Sequence, residues 1–355
     1  MVLTAGALVA RELVKTRPNE TARLLDWDTV RRRAFRGTGE NGPTHLALSG
    51  ADLAARYDAM LAELQPHMAE TLGQALPLKP FPKFIVLDRR SWIGVNLEMF
   101  QNLMDPILKI QEALPANILT DIGRTGISEY MGAMLGFLSR RVLGQYDPVL
   151  MAAPGVATPS ALYLVEPNIE AWEARTPVPG EPVRRWLVLH EATHAWEFEA
   201  NPWLREHMNS LIRDLIAHRL FTSEKPDRLD VIRALTIGAR SQWQAMSQIQ
   251  AVMSLLEGFS NVMMRRVGEA HLEHYNEVDA EFNKRSAQRG PAERAFFKIT
   301  GLDMKMQQYV QGERFCNAVM NDGGMERLSR VWTGPETLPT LEEVRDPQRW
   351  LDRIG

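Results

Sequence analysis

His190-Glu191-Ala192-Thr193-His194 sets two imidazoles four residues apart with a carboxylate beside the first. That spacing brings both rings onto one face only if the segment is helical, and the flanks favour a helix. Pro182 falls where an early helical residue loses nothing by lacking an N–H. Pro202 ends the run, because an interior proline clashes with the turn before it. Between them, Val183 to Asn201 contains no glycine and no further proline. Leu187, Leu189, Ala192 and Trp196 surround the histidines with apolar side chains, so the helix is expected to be buried. A buried imidazole pair needs a polar partner. One zinc ion held by both rings supplies it, with Glu191 placed as general base toward water at the ion.

Catalytic zinc sites take three protein ligands and keep a fourth position for water. The extension H-E-x-x-H-x-x-G-x-x-H is excluded, since Glu197 and Ala200 stand where it needs glycine and histidine. Glu257 is the leading third ligand. It lies in the apolar run Ser254-Leu255-Leu256-Glu257-Gly258-Phe259-Ser260-Asn261, where a carboxylate is costly unless a cation sits beside it. Asn261, four residues on, is placed to accept the second N–H of a ligating imidazole, a bond of the kind that fixes ring tautomer and orientation. The spacing E-x-x-x-N is similar to the E-x-x-x-D of thermolysin-like gluzincins, with one charge fewer. Alternatives stay open: Glu257 paired with Arg265 or Arg266, and His207, His218, His271 or His274 as ligands, the last two in a polar, exposed-looking stretch.

The rest of the composition excludes more than it assigns. A net charge of −3 over 355 residues leaves no electrostatic footprint for nucleic acid, and Arg31-Arg32-Arg33 reads as a solvated helix face. Cys316 is the only cysteine, so there is neither an internal disulfide nor a thiolate cluster, and it reads as a buried small hydrophobe. No apolar run is long enough to cross a bilayer, and Met1 to Ala10 lacks the basic start of a signal peptide. A cytoplasmic location is the expectation.

Helical periodicity dominates, over 3–16, 50–73, 91–113, 128–143, 183–200, 203–221, 228–267, 269–287 and 302–321. Strand candidates are few, Phe84 to Leu87 and Ala161 to Val165 being the best. The second would accept an extended peptide by strand addition if it lay at a sheet edge. The fold class is thus α+β, predominantly helical. It forms one domain over 1–355, with a helical lobe (1–125) and a lobe carrying the metal site and C-terminal helices (126–355) as the finer division. Gly37-Thr38-Gly39-Glu40-Asn41-Gly42 fits the letters of a dinucleotide motif, but an Arg-rich flank and Pro43 make it a loop. Gly132 and Gly136 mark a close helix–helix approach in a soluble core.

With these residues in view, the chain resembles the zincin-like metallopeptidase type 2 family, uncharacterised bacterial hydrolases of which some are associated with biosynthesis of a deazaflavin coenzyme. The likeness runs through Val86 to Trp92, Leu138 to Asp147, Leu189 to His194, Pro202 to Arg205, Leu255 to Gly268, Gly301 to Phe315 and Val331 to Arg353. It implies a zincin-like fold with the motif helix beside a small sheet. It also supports His190, His194 and Glu257 as ligands and Glu191 as base. The family often has a histidine two residues after the glutamate; this chain has Phe259.

The chemistry these readings imply is hydrolysis of an amide-type bond in a peptide or small amide. Zinc would polarise the carbonyl, and Glu191 would carry the proton to the leaving amine. Tyr309 is the candidate oxyanion donor, sharing a helical face with Lys305, Gln308 and Gly312; a structural hydroxyl is the competing role. A non-catalytic scaffold that keeps the zinc helix for stability is the alternative function.

Overall fold

The computed structural model describes residues 17–21, 25–39, 50–73, 76, 81–111, 115–116, 118–151, 159–216, 228–287 and 302–355. In chain order these form β1 (Arg17–Thr21), α1 (Trp27–Gly37), α2 (Gly50–Leu72), β2 (Phe84–Leu87), α3 (Arg89–Gln111), β3 (Pro115–Ala116) and α4 (Ile118–Leu138). There follow β4 (Gly144–Asp147), β5 (Ala161–Val165), α5 (Glu166–Glu173), α6 (Gly180–Glu199), α7 (Pro202–Ile216) and α8 (Arg228–His271). The chain continues through α9 (Tyr275–Ala287), α10 (Leu302–Ser329), α11 (Leu341–Arg345) and α12 (Pro347–Ile354). No described helix is long and apolar enough to cross a membrane.

Helices build the core, and a three-stranded sheet of order β2-β5-β4 caps one side of it. β2 runs parallel to β5, with Phe84 opposite Leu162, and β4 runs antiparallel to it, with Gly144 opposite Leu164. Ala161-Leu162-Tyr163-Leu164-Val165 is a nearly continuous apolar run because this strand is covered on both faces. It is also hydrogen-bonded on both sides, so the idea that Ala161 to Val165 accepts a peptide strand is corrected: the edges belong to β2 and β4.

The main core joins Leu64 and Met68 of α2, Leu187 and Ala195 of α6, Leu255 and Phe259 of α8, and Phe315 and Val319 of α10. A smaller cluster gathers Val30 and Ala34 of α1, Trp92 and Leu97 of α3, Leu135 of α4 and Val165 of β5. Here Gly132 and Gly136 let α4 lie directly on the backbone of α1, against Val30, Ala34 and Gly37. The close approach expected of that glycine pair is what the fold uses. Arg31 and Arg32 project from the outer side of α1 into solvent, and Cys316 is fully buried.

Several boundaries move. α4 begins at Ile118 and stops at Leu138, leaving room for β4, so the lobe division at 125 and 126 falls inside a helix. α8 continues past Gly268 to His271 and displaces the start of α9 to Tyr275. The expected helix at 3–16 lies outside the described residues.

Candidate metal centre

α6 and α8 pack against each other and bring three donors together. His190 and His194 project one turn apart from α6, their rings nearly perpendicular (87°) with centroids 4.7 Å apart. Glu257 reaches in from α8, its Oε2 3.6 Å from His194 Nε2. One donor atom from each of the three lies within 4.8 Å of the other two. α10 holds α8 in place nearby: Gly258, next to Glu257, and Gly312 of α10 meet backbone to backbone, where any Cβ would collide.

Each imidazole is oriented by a bond on its far nitrogen. His194 Nδ1 donates to Glu197 Oε2 at 2.8 Å, and His190 Nδ1 lies 3.1 Å from Ser260 Oγ. Trp186 stacks flat on the His190 ring, at 5.7 Å and 4°. With Nδ1 engaged on both rings, each Nε2 is left for an ion, the arrangement that second-layer partners impose in metal sites. Two imidazole nitrogens and a carboxylate on converging helices fit zinc in donor type and number.

The electrostatics agree. Burial pushes His190 down to about 4, helped by the neighbouring His194, so its ring is neutral near pH 7. Burial opposes a charge on His194 as well, yet Glu197 and Glu257 overcome it and hold that ring well above the ordinary histidine range. Two carboxylates thus make a buried position that favours positive charge, which is where a divalent cation fits.

Glu191 sits beside this centre, a buried side chain of α6 facing the edge strand β4. Val165 N–H donates to Leu143 O at 2.8 Å, so the alternate residues Gly144 and Tyr146 turn their backbone groups outward, away from β5. The Tyr146 N–H bonds the Glu191 carboxylate, and Glu191 Oε1 occupies the space a side chain at 144 would need. Burial raises Glu191 to about 7, against the pull of His194. The strand itself is anchored through Glu199, which accepts from Tyr146 Oη (2.8 Å), Ser160 Oγ (2.6 Å) and Arg205 (3.0 Å).

The other residues singled out from sequence fall as follows. Asn261 directs its amide to Glu313 at 3.5 Å, and the ring nitrogens it was expected to serve go to Ser260 and Glu197. Arg265 is paired with Glu313 and Arg266 is exposed. Phe259 packs in the core between Trp196 (5.4 Å) and Trp332 (5.0 Å). His207 is half-buried beside Trp203, and His271 and His274 are exposed. The Tyr309 side chain and His218 lie outside the described residues. Ser260, Glu197, Gly144 and Tyr146 were not anticipated; a carboxylate at 197, three residues past His194 on an apolar helix, was the available signal for one of them.

The orienting bonds give a direct test. Ser260→Ala or Glu197→Gln should weaken zinc binding at this centre about 10- to 100-fold while still allowing it to fill at saturation. Competition with a zinc chelator measures this, and unchanged affinity in both variants would remove these residues from the site.

A family model for zincin-like metallopeptidases matches residues 25–351. Among solved structures, a crystal structure from Chloroflexus aurantiacus described as "a putative hydrolase with a novel fold" is 35% identical. The alignment covers 93% of this chain and 99% of that one, with a TM-score of 0.70. No curated protein matches.

Proposed function

We propose that this chain, which belongs to the zincin-like metallopeptidase family, is a zinc-dependent hydrolase of amide-type bonds. The observation that carries this reading is the convergence of His190, His194 and Glu257 beside a buried carboxylate, Glu191, that stands outside the donor set. A zinc ion held by those three donors supplies a Lewis acid for water and for a substrate carbonyl.

The remaining steps belong to the protein. Glu191 takes a proton from water onto its carboxylate, and its raised affinity for protons, up to about 7, suits it to hold that proton and then release it to the leaving amine. The Tyr146 N–H fixes the carboxylate so that no reorganisation is needed as it changes charge. Ser260 and Glu197 keep the two rings turned toward the centre. Trp186 covers the face of His190 and excludes water from that side. Tyr309 retains the oxyanion role assigned to it from sequence, to be tested by the turnover of Tyr309→Phe.

The reading is tested by incubating zinc-loaded protein with a set of peptide and simple amide substrates. Release of amine, its loss on chelation and its return with zinc are expected. Zinc-loaded protein without turnover across such a set, whose Glu191→Gln variant still functions in cells, would support a scaffold instead.

A further inference from the structure

A second group of side chains repeats the two-imidazole, one-carboxylate composition at a distance from the first. His67 and Glu70 lie one turn apart near the end of α2, and His271 is the final residue of α8. One donor atom from each lies within 4.8 Å of the other two. The rings of His67 and His271 are in face contact, with centroids 3.7 Å apart and planes 17° from parallel, so the exposed His271 ring must turn about its side-chain bonds for both in-plane lone pairs to reach one ion. Glu257 sits fourteen residues earlier on α8, which at 1.5 Å per residue is about 21 Å along the helix axis. One ion cannot serve both groups.

Two features mark this as a place for a cation. The last turns of α2 and α8 meet here, and the unpaired carbonyls at helix C-termini present partial negative charge. Glu70 adds a full one. His271 is also held firmly for a helix end. Leu272 N–H donates to Gly268 O at 2.9 Å, the Tyr275 ring packs over Gly268, and His274 reverses the chain at φ 56° into α9. His67 is half-buried while Glu70 and His271 are exposed, so an ion can enter from solvent.

We propose that His67, Glu70 and His271 form a second metal site, for a first-row divalent cation of the zinc class. Imidazole donors select such ions over magnesium and calcium, which prefer oxygen. Three protein ligands leave open positions that water fills. An ion there ties α2 to α8, the helix that supplies Glu257, and so braces the first centre from its far end.

Equilibrium dialysis against zinc chloride, with metal quantified by elemental analysis, tests this on wild type, His271→Ala and His190→Ala. Wild type should hold two equivalents and each variant one. The thermal midpoint of His190→Ala should still rise on adding zinc, and that rise should vanish in the His190→Ala/His271→Ala double variant. One equivalent in wild type and none in His190→Ala overturns the second site while leaving the first intact. Two equivalents retained in His271→Ala overturns it as well, because the second ion then sits elsewhere. His271 is exposed, so its replacement should leave the circular dichroism spectrum unchanged.

Discussion

Glu191→Gln should lower turnover of an amide substrate about 10²- to 10⁴-fold, some 3–5 kcal/mol in the barrier, without releasing the ion. Glutamine keeps the shape and an acceptor for the Tyr146 N–H, and it cannot carry a proton. The fold should tolerate it, because burial already favours the uncharged form of this side chain. The loss should appear in kcat with KM little changed, the signature of an interaction made during chemistry. Steady-state kinetics beside zinc analysis separates the cases. Unaltered kcat in a zinc-replete variant would take Glu191 out of the reaction.

The second large effect concerns the ion network that seats the motif helix. Arg184 stands six residues before His190 on α6. It contacts Glu166 Oε1 at 2.5 Å and Glu173 Oε1 at 2.7 Å, and donates to the Tyr57 hydroxyl, which in turn bonds Glu166 at 2.7 Å. Burial disfavours its charge, but Tyr57, Glu166 and Glu173 together raise its proton affinity above that of a free arginine. Glu166 is only 1% exposed, so removing the guanidinium strands a carboxylate in the core. Arg184→Ala should therefore cost about 3–5 kcal/mol. Replacing Arg184, Glu166 and Glu173 together by apolar residues should cost much less, because no charge is then left unpaired. Urea unfolding midpoints at constant slope report both. A loss below about 1 kcal/mol in Arg184→Ala would mean that the network adds nothing to α6.

What could be read from the chain follows from how local each signal is. The motif helix was legible because its ends, its apolar character and its histidine spacing are all encoded between Pro182 and Pro202. Glu257 was legible as a charged residue in an apolar helix. β4 was not, because Gly144-Gln145-Tyr146-Asp147 lacks the β-branched or alternating pattern of a strand and owes its form to pairing with β5. Ser260 was passed over for Asn261 because helical spacing alone placed residue 261 over Glu257, while the rotation of α8 against α6 is a tertiary property. The end of α8 was drawn at Val267, before Gly268, yet the helix runs on to His271, with the Tyr275 ring packed where a side chain at 268 would stand. His67 carried no signal at all, since its partner lies at the far end of another helix.

Diffraction from zinc-loaded crystals at the zinc absorption edge tests the central claim most directly. An anomalous peak bonded to Nε2 of His190, Nε2 of His194 and the Glu257 carboxylate, at about 2.0–2.2 Å from each, is the predicted result. A peak at the histidine pair that leaves Glu257 outside bonding distance, or no peak there at all, would contradict it.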